Sequence, residues 1–214
     1  MLELMEKSIG FFGKISGSLT NPEGFFSSVK TETGIFKSLI YFAVLSLIGV
    51  FVKFLGIALN IQLLLQTKGM LTYADVLSSY AGSFVLLFIG IGIFHIFVRL
   101  FGGQGGFAET FKANVYGNTP SFLFGWIPYV GVLGILYGIY LFIKGLSVLH
   151  GMTMGKAFLA FLIPVLILVV LFVIAIALIG ATIIGILLGK GGVLSQLPGT
   201  QITGNLVKVV SRIT

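Results

Sequence analysis

The sequence contains no cysteine and very little charge. Of its 214 residues, 57% are hydrophobic and 9% are charged, whereas about 25% of the residues in an ordinary soluble domain are charged. The lack of cysteine excludes disulfides, thiolate metal sites and thiol nucleophiles. A soluble fold needs charged side chains to cover its surface. The shortage of charge, together with a mean hydropathy of +1.13, therefore indicates that lipid surrounds most of the chain.

Acidic residues are scarce and lie outside the long apolar runs. They are Glu3, Glu6, Glu23, Glu32, Asp75 and Glu109. No intramembrane carboxylate pair is predicted, which excludes aspartyl proteolysis and most carboxylate-driven proton coupling. His95 and His150 have no acidic or thiolate ligand at a suitable spacing, so we predict no metal site. The glycine run 102–106 lacks the Lys-Ser/Thr of a phosphate-binding loop and predicts a turn. We therefore predict a protein that is not an enzyme and uses no cofactor.

The chain divides into three segments. We expect residues 1–38 to form a cytoplasmic or interfacial amphipathic segment, residues 39–188 a five-span transmembrane domain, and residues 189–214 a polar tail. Five apolar runs approach or exceed the roughly 20 residues that a crossing needs: 39–65, 80–100, 107–127, 130–149 and 157–188. The fold class that follows is an all-α membrane protein, a five-helix bundle preceded by interfacial amphipathic helices.

The first segment carries two helix signals. The first is an apolar face formed by Leu2, Met5, Ile9 and Phe12, opposite Lys14, a pattern typical of a helix in the membrane interface. The second is Asn21-Pro22, which predicts the cap and first turn of another short helix. That helix would carry an apolar face made of Phe25, Phe26 and Val29.

The connections between the spans are less regular than the spans. We expect a polar loop over 67–79 and another over 150–155. The third run has a polar first half and contains Pro120, so it is either a kinked crossing or a re-entrant segment. Its polar residues should face protein or water: Asn114, Asn118 and Thr119. In the fourth run, Gly134 and Gly138 form a GxxxG pair, a motif for close helix contact.

The excess of basic residues predicts orientation. The chain has 13 Lys and Arg against six acids, a net charge of +7, but no basic patch with interleaved aromatics, so we expect no nucleic-acid partner. Five crossings with a cytoplasmic N-terminus leave Lys53 within the membrane and Lys68, Lys190, Lys208 and Arg212 outside. The cytoplasmic side then holds Lys7, Lys14, Lys30, Lys37, Arg99, Lys112, Lys144 and Lys156, which favours this orientation.

Two polar features are candidate sites. Lys53 interrupts the first span and either faces an anion or headgroup site inside the bundle or snorkels to the outer interface. The second feature is a group of basic residues that five crossings bring to the cytoplasmic side: His95, Arg99, Lys112, Lys144, His150 and Lys156. This group either reflects topology alone or binds anionic headgroups or an acidic partner.

Several short motifs, in order, resemble the Yip family of Ypt/Rab-interacting five-span membrane proteins. The central ones are His95, Arg99, Leu100-Phe101-Gly102-Gly103, Gly106-Phe107, Glu109-Thr110, Tyr116 and Pro120. Those that follow are Ile127-Pro128-Tyr129-Val130-Gly131, Lys144-Gly145-Leu146, His150-Gly151-Met152-Thr153 and Lys156-Ala157. Asn21-Pro22 followed by Phe25-Phe26 resembles the family's pre-membrane segment. The resemblance covers roughly residues 20 to 180.

The resemblance implies five helices, a cytoplasmic N-terminus and, in eukaryotic relatives, a role in vesicle traffic through Rab GTPases. The N-terminal region here is shorter than in those relatives, so we do not carry a Rab-type GTPase over as a partner. The small, cysteine-free chain looks more like a prokaryotic member, which implies the plasma membrane rather than Golgi or ER.

Two functions remain as hypotheses. The first is a non-enzymatic membrane organiser, a scaffold that binds membrane lipids or partner proteins, including a second copy of itself through glycine-rich helix faces. The second is a small channel or transporter whose polar path lies near Lys53 and the third span.

Overall fold

The computed structural model describes residues 10–59 and 72–188, together with residues 208, 211 and 212. Eight helices are described: α1 (Phe11–Thr20), α2 (Pro22–Val29), α3 (Phe36–Ala58), α4 (Tyr73–Leu100), α5 (Phe107–Gly117), α6 (Thr119–Phe124), α7 (Val130–His150) and α8 (Met154–Leu188). The chain forms two compact units, residues 1–164 and residues 165–214. The polar tail predicted for 189–214 lies almost wholly outside the described residues.

Four of the described helices are long and apolar enough to cross a membrane: Phe36–Ala58, Tyr73–Leu100, Val130–His150 and Met154–Ile184. In the second unit, the apolar side chains of α8 between residues 165 and 184 are mostly exposed. Such a surface requires a lipid environment. The all-α class and the integral membrane character predicted from the sequence are therefore confirmed.

The N-terminal helices pack into the first unit. The side chain of Asn21 accepts a hydrogen bond from the N–H of Gly24 at 3.1 Å, and Pro22 begins α2, as predicted. Phe25, Phe26 and Val29 are buried. Their interfacial location stays a prediction, and residues Leu2, Met5 and Ile9 lie outside the described residues.

The amphipathic pattern gave the wrong environment for one residue of α1. We expected Lys14 to lie on the polar face, but it is buried, whereas Phe12 is 82% exposed. The reason is that Lys14 has ionic and hydrogen-bond partners inside the unit, which a pattern along one helix cannot reveal.

The predicted polar loop 67–79 is wrong over residues 73–79, which are helical. Residues 73–79 are the first turns of α4, because Thr72 and Asp75 form a capping box in which each side chain bonds the other residue's backbone N–H.

The loop predicted over 150–155 is also shorter than expected. His150 ends α7, Gly151 adopts φ +63°, and α8 begins at Met154.

The third apolar run is broken at Asn118 into α5 and α6. Pro120 lies in the first turn of α6, where its missing N–H costs least. α5 is the most buried helix of the first unit, with Phe111, Ala113, Val115 and Tyr116 fully enclosed. The break predicted from Pro120 is therefore present, two residues before the proline itself.

Glycines bring α7 against α5 and α6. A Cβ built on Gly134 would lie 2.9 Å from the carbonyl oxygen of Pro120, and one on Gly138 would lie 2.8 Å from Ser121 Oγ. On α5, a Cβ at Gly117 would lie 2.7 Å from the backbone nitrogen of Phe142. The GxxxG pair thus marks a close helix contact, as predicted.

Candidate functional site

Two histidines meet at the point where α4 and α7 end. His95 Nδ1 lies 2.8 Å from Thr110 Oγ1, and the same hydroxyl lies 3.0 Å from His150 Nε2. The two imidazole rings are 6.2 Å apart between centroids. Thr110 therefore links two members of the predicted basic group, which are 55 positions apart in the sequence. The sequence predicts no contact for Thr110, which appears only in the Glu109-Thr110 motif of the family resemblance.

The glycine run that follows α4 folds over His150. The N–H of Gln104 donates to the carbonyl oxygen of His150 at 3.0 Å. A Cβ on Gly103 would lie 2.6 Å from Val98 Cγ1, and one on Gly105 would lie 2.9 Å from His150 Nδ1. Side chains at either position would push the turn away from the histidine. The run is the turn between two helices that the sequence predicted.

Arg99 holds the same turn from its outer side. Its Nη1 donates to the carbonyl oxygen of Gly103 at 3.0 Å and lies 3.4 Å from that of Gln104. The residue as a whole is exposed. Its guanidinium therefore keeps donors for a further partner, because five N–H groups are available and two carbonyls are contacted.

A recess of about 450 Å³ opens beside this turn. Its polar lining comes from Lys30, Gln104, Glu109 and His150, and Gly151 lies at its edge. His150 is 1% exposed, and its Nδ1 is a buried polar atom without a hydrogen-bond partner among the described residues. The recess thus combines an exposed ammonium, a carboxylate and an unsatisfied imidazole nitrogen.

Lys112, another predicted member of the basic group, does not face solvent. Its side chain is fully buried, and Nζ donates to the carbonyl oxygens of Glu32 at 2.8 Å and Val29 at 3.3 Å. It also pairs with Glu109 Oε1 at 3.3 Å. Its ammonium therefore fastens the α2–α3 connection onto α5 and neutralises the carboxylate at the recess.

A second buried network joins α1 to α5. Lys14 Nζ lies 2.7 Å from Glu32 Oε1 and donates to the Tyr116 hydroxyl, also at 2.7 Å. The Tyr116 hydroxyl in turn donates to Glu32 Oε2 at 2.8 Å. All three members satisfy one another, so the network is a structural tie rather than a reactive group. The network could not be predicted from the sequence, since Lys14 and Tyr116 are 102 positions apart.

The two remaining basic candidates, Lys144 and Lys156, form no hydrogen bond with His95 or His150 among the described contacts. Lys144 Nζ pairs with Glu23 Oε2 at 2.8 Å. The hydrogen bond from Lys144 and its charge hold the pKa of Glu23 below its ordinary value. Lys156 is exposed in the first turn of α8. Among the predicted cations, Arg99 and Lys156 are the ones that remain exposed.

The predicted intramembrane polar residues do not form one path. Lys53 is exposed and lines a mainly apolar recess of about 430 Å³ together with Ser46, Ser121 and Trp126. Thr119 is buried, and its hydroxyl bonds to Tyr41 Oη at 2.9 Å. A separate bond runs from Asn118 Nδ2 to the carbonyl oxygen of Asn114, at 2.9 Å.

Within residues 10–59 and 72–188, no three His, Cys, Asp or Glu side chains lie close enough together to hold a metal ion. His95 and His150 share Thr110 rather than a carboxylate.

Comparison with known proteins gives one match. No curated protein and no solved structure matches the chain. The sequence model of the Yip1 domain, however, matches residues 16–177, which is most of the 214 residues. The match includes the histidine pair, Lys112, Glu32 and Tyr116, and it begins two positions after Lys14. The chain is therefore a member of the Yip1 domain family of membrane proteins.

Proposed function

We propose that the protein is a non-enzymatic membrane organiser, which binds lipids or partner proteins through a basic cytoplasmic face. The observation that carries the proposal is how its buried polar groups are used. Lys14, Glu32, Tyr116 and Lys112 bond to one another or to backbone carbonyls. Groups committed in this way are not available for catalysis, whereas Arg99 and Lys156 stay exposed at the ends of apolar helices.

The proposal includes five crossings, the third made by α5 and α6 together. These helices cover residues 107–124, and 18 residues reach about 27 Å, close to the thickness of the hydrocarbon core. They pack antiparallel to α7 along its length, from the Gln104–His150 hydrogen bond at one end to the contact of Gly131 with Gly125 at the other. If α7 crosses the membrane, its partner must cross with it.

The orientation in the proposal is cytoplasmic for the N-terminus, in the plasma membrane of a prokaryote. The distribution of Lys and Arg between the two sides supports the orientation. The choice of membrane is supported by the resemblance of the cysteine-free chain to prokaryotic members of the family.

Labelling of introduced cysteines tests the topology, and the native chain has no cysteine to interfere. We choose exposed positions: Ser27→Cys, Tyr129→Cys and Ser211→Cys. A membrane-impermeant maleimide added outside intact cells should label positions 129 and 211 and should spare position 27. Protection of both Tyr129→Cys and Ser211→Cys would contradict a crossing by α5 and α6, because four crossings leave positions 27, 129 and 211 on the same side of the membrane.

Retention of lipid tests the function. Protein purified in mild detergent should retain anionic lipid above its share in the membrane, measured by mass spectrometry. Arg99→Gln combined with Lys156→Gln should lower that enrichment. Retention of anionic lipid no greater than its share in the membrane would contradict the lipid-binding role.

The alternative function, a channel or transporter, would use the recess at Lys53 and makes a different prediction. Purified protein in sealed vesicles would then carry a flux of ions or small solutes that Lys53→Gln changes. The mainly apolar lining of the recess, and the separate bonding of Thr119, favour the membrane organiser.

A further inference from the structure

We propose that the recess beside the glycine turn is a binding site for the phosphate of a phospholipid headgroup. We call it the headgroup recess and define it by Lys30, Gln104, Glu109, His150 and Gly151. The proposal rests on the proposed function, because it assigns the general lipid affinity to one place and one chemical group.

The depth of the headgroup recess in the membrane identifies its occupant as a lipid. Two candidate spans end at it, α4 at Leu100 and α7 at His150, and the next span begins at Met154. Span ends lie where the hydrocarbon gives way to the headgroup layer. Leu100, beside Arg99, is 73% exposed and offers an apolar surface to an acyl chain. A lipid can therefore place its phosphate in the headgroup recess while its chains remain in the bilayer.

The charge around the headgroup recess favours an anion. Lys30 lines it, Arg99 holds its glycine turn from outside, and Lys112 lies beneath Glu109. Of these cations, only Lys30 lines the recess. The one lining carboxylate, Glu109, is neutralised by the buried Lys112 at 3.3 Å and also accepts from the N–H of Gly106 at 2.9 Å. The first turn of α5 adds the positive end of a helix dipole. A phosphodiester, with one negative charge and several acceptor oxygens, complements this arrangement.

The unsatisfied nitrogen of His150 is the independent sign of a ligand. A buried polar atom without a partner is costly, and native structures rarely leave one. Nδ1 of His150 is such an atom, because the neighbouring backbone of Gly105 does not meet hydrogen-bond geometry with it, while Nε2 is occupied by Thr110. Gly103 and Gly105 approach it without side chains, and Gly105 also lines the headgroup recess. In the proposal, this turn shifts when lipid binds, so that a phosphate oxygen accepts from Nδ1–H.

Gly151 allows a test in which two variants differ by one charge. It lines the headgroup recess, and a Cβ built there meets no atom within 4 Å. Its φ of +63° lies in the left-handed region, which Asn and Asp tolerate better than other residues. Gly151→Asn and Gly151→Asp therefore add side chains of equal size and similar backbone cost, and only the second adds a negative charge.

The measurement is the affinity of the detergent-purified protein for phosphatidylglycerol, by native mass spectrometry. Gly151→Asp should bind about fivefold more weakly than Gly151→Asn, because a single charge near a headgroup changes affinity by about that factor. A Gly151→Asp variant that binds as tightly as Gly151→Asn, or more tightly, overturns the proposal.

A second pair of variants separates the headgroup recess from the general basic face. Lys30→Gln should weaken binding about fivefold. Lys37→Gln removes an exposed lysine from the first turn of α3, away from the recess lining, and should leave the affinity nearly unchanged. If both lysine variants weaken binding equally, the headgroup recess is not the site, although the proposed lipid-binding function survives. If the wild type binds no phosphatidylglycerol, both proposals fail.

Two further ligands distinguish a lipid from a free anion. Diacylglycerol, which lacks the phosphate, should bind at least tenfold more weakly than phosphatidylglycerol. Inorganic phosphate at millimolar concentration should displace little of the bound lipid, because it has no acyl chains to anchor it. Displacement by inorganic phosphate alone would overturn the lipid assignment and make the headgroup recess a phosphate site.

Discussion

The pair α5–α7 and the pair α3–α4 use glycine in opposite ways. In the first pair, a Cβ on Gly117 of α5 would collide with the backbone of α7 at Phe142. In the second pair, Gly49 and Gly82 have no atom within 4 Å of the position of a Cβ. Of the most apolar window of each helix, 44% is buried in α7, but 17% in α3 and 11% in α4. The same residue type therefore provides packing in one region and open space in the other.

The polar groups follow the same division. The buried ionic networks tie α1, the α2–α3 connection and α5 together, next to the tightly packed pair. The middle of α3 and α4 carries apolar side chains that are mostly partly or fully exposed, as a lipid-facing surface should. Stability in the first region therefore depends on specific contacts, and stability in the second depends on helix formation in an apolar solvent.

The largest effect is expected from the buried network. Glu32→Gln removes the charge that both Lys14 and Tyr116 contact, and it leaves the Lys14 ammonium buried without its counter-ion. Breaking one partner of a buried ion pair costs about 3–5 kcal/mol. We expect the free energy of unfolding in detergent to fall by about 3 kcal/mol, measured by chemical unfolding.

The double variant checks the cause of that loss. Adding Lys14→Gln to Glu32→Gln removes the unpaired charge, so the double variant should be more stable than the sum of the single losses predicts. Strict additivity would mean that the two residues do not act as a pair.

An intermediate effect, of opposite sign in the two regions, is expected from glycine to alanine changes. Gly117→Ala should destabilise the protein by about 1–3 kcal/mol, because its Cβ would overlap the backbone at Phe142. Gly82→Ala should be neutral or stabilise it by up to about 1 kcal/mol, since alanine is the better helix former and has room. Unfolding midpoints that shift in the same direction for both variants would break the comparison between the regions.

The smallest effect is expected at the pair formed by the partly buried Lys144 and the exposed Glu23. Because Lys144 lowers the pKa of Glu23, the contribution of the pair to stability is present above the ordinary pKa of a glutamate and is lost as pH falls through the lowered value. Lys144→Gln should therefore lower the unfolding temperature slightly at pH 7, and the difference from wild type should shrink below about pH 4. A difference that grows as the pH falls would show that the pair has another role.

Part of the headgroup recess could be predicted from the sequence. Charge and helix ends indicated that His95, Arg99 and His150 would lie at one side, and the glycine run was recognised as a turn between helices. The burial of Lys112 and the link through Thr110 could not be predicted. Both depend on how α5 is rotated about its axis within the unit, and nothing in the local spacing of α5 specifies its neighbours.

Two predictions were wrong because each was made from the local sequence alone. Lys14 was expected to face solvent because it lies opposite Phe12, and residues 73–79 were expected to form a loop because they are polar. Lys14 is buried because Glu32 and Tyr116 pair with it, and α4 starts early because Thr72 and Asp75 cap it. A capping box is visible in a sequence, so the second error was avoidable, whereas the first was not.

The sequence by itself determined that the chain is helical, lies in a membrane and belongs to the Yip1 domain family. Hydropathy, run length and motif order are local properties, and a lipid solvent permits few structures other than helices. Only the tertiary structure decided which polar groups meet. The long helices are apolar on nearly every side, so their periodicity does not specify which side faces the bundle. Close contacts at glycines and a few buried ion pairs specify it instead.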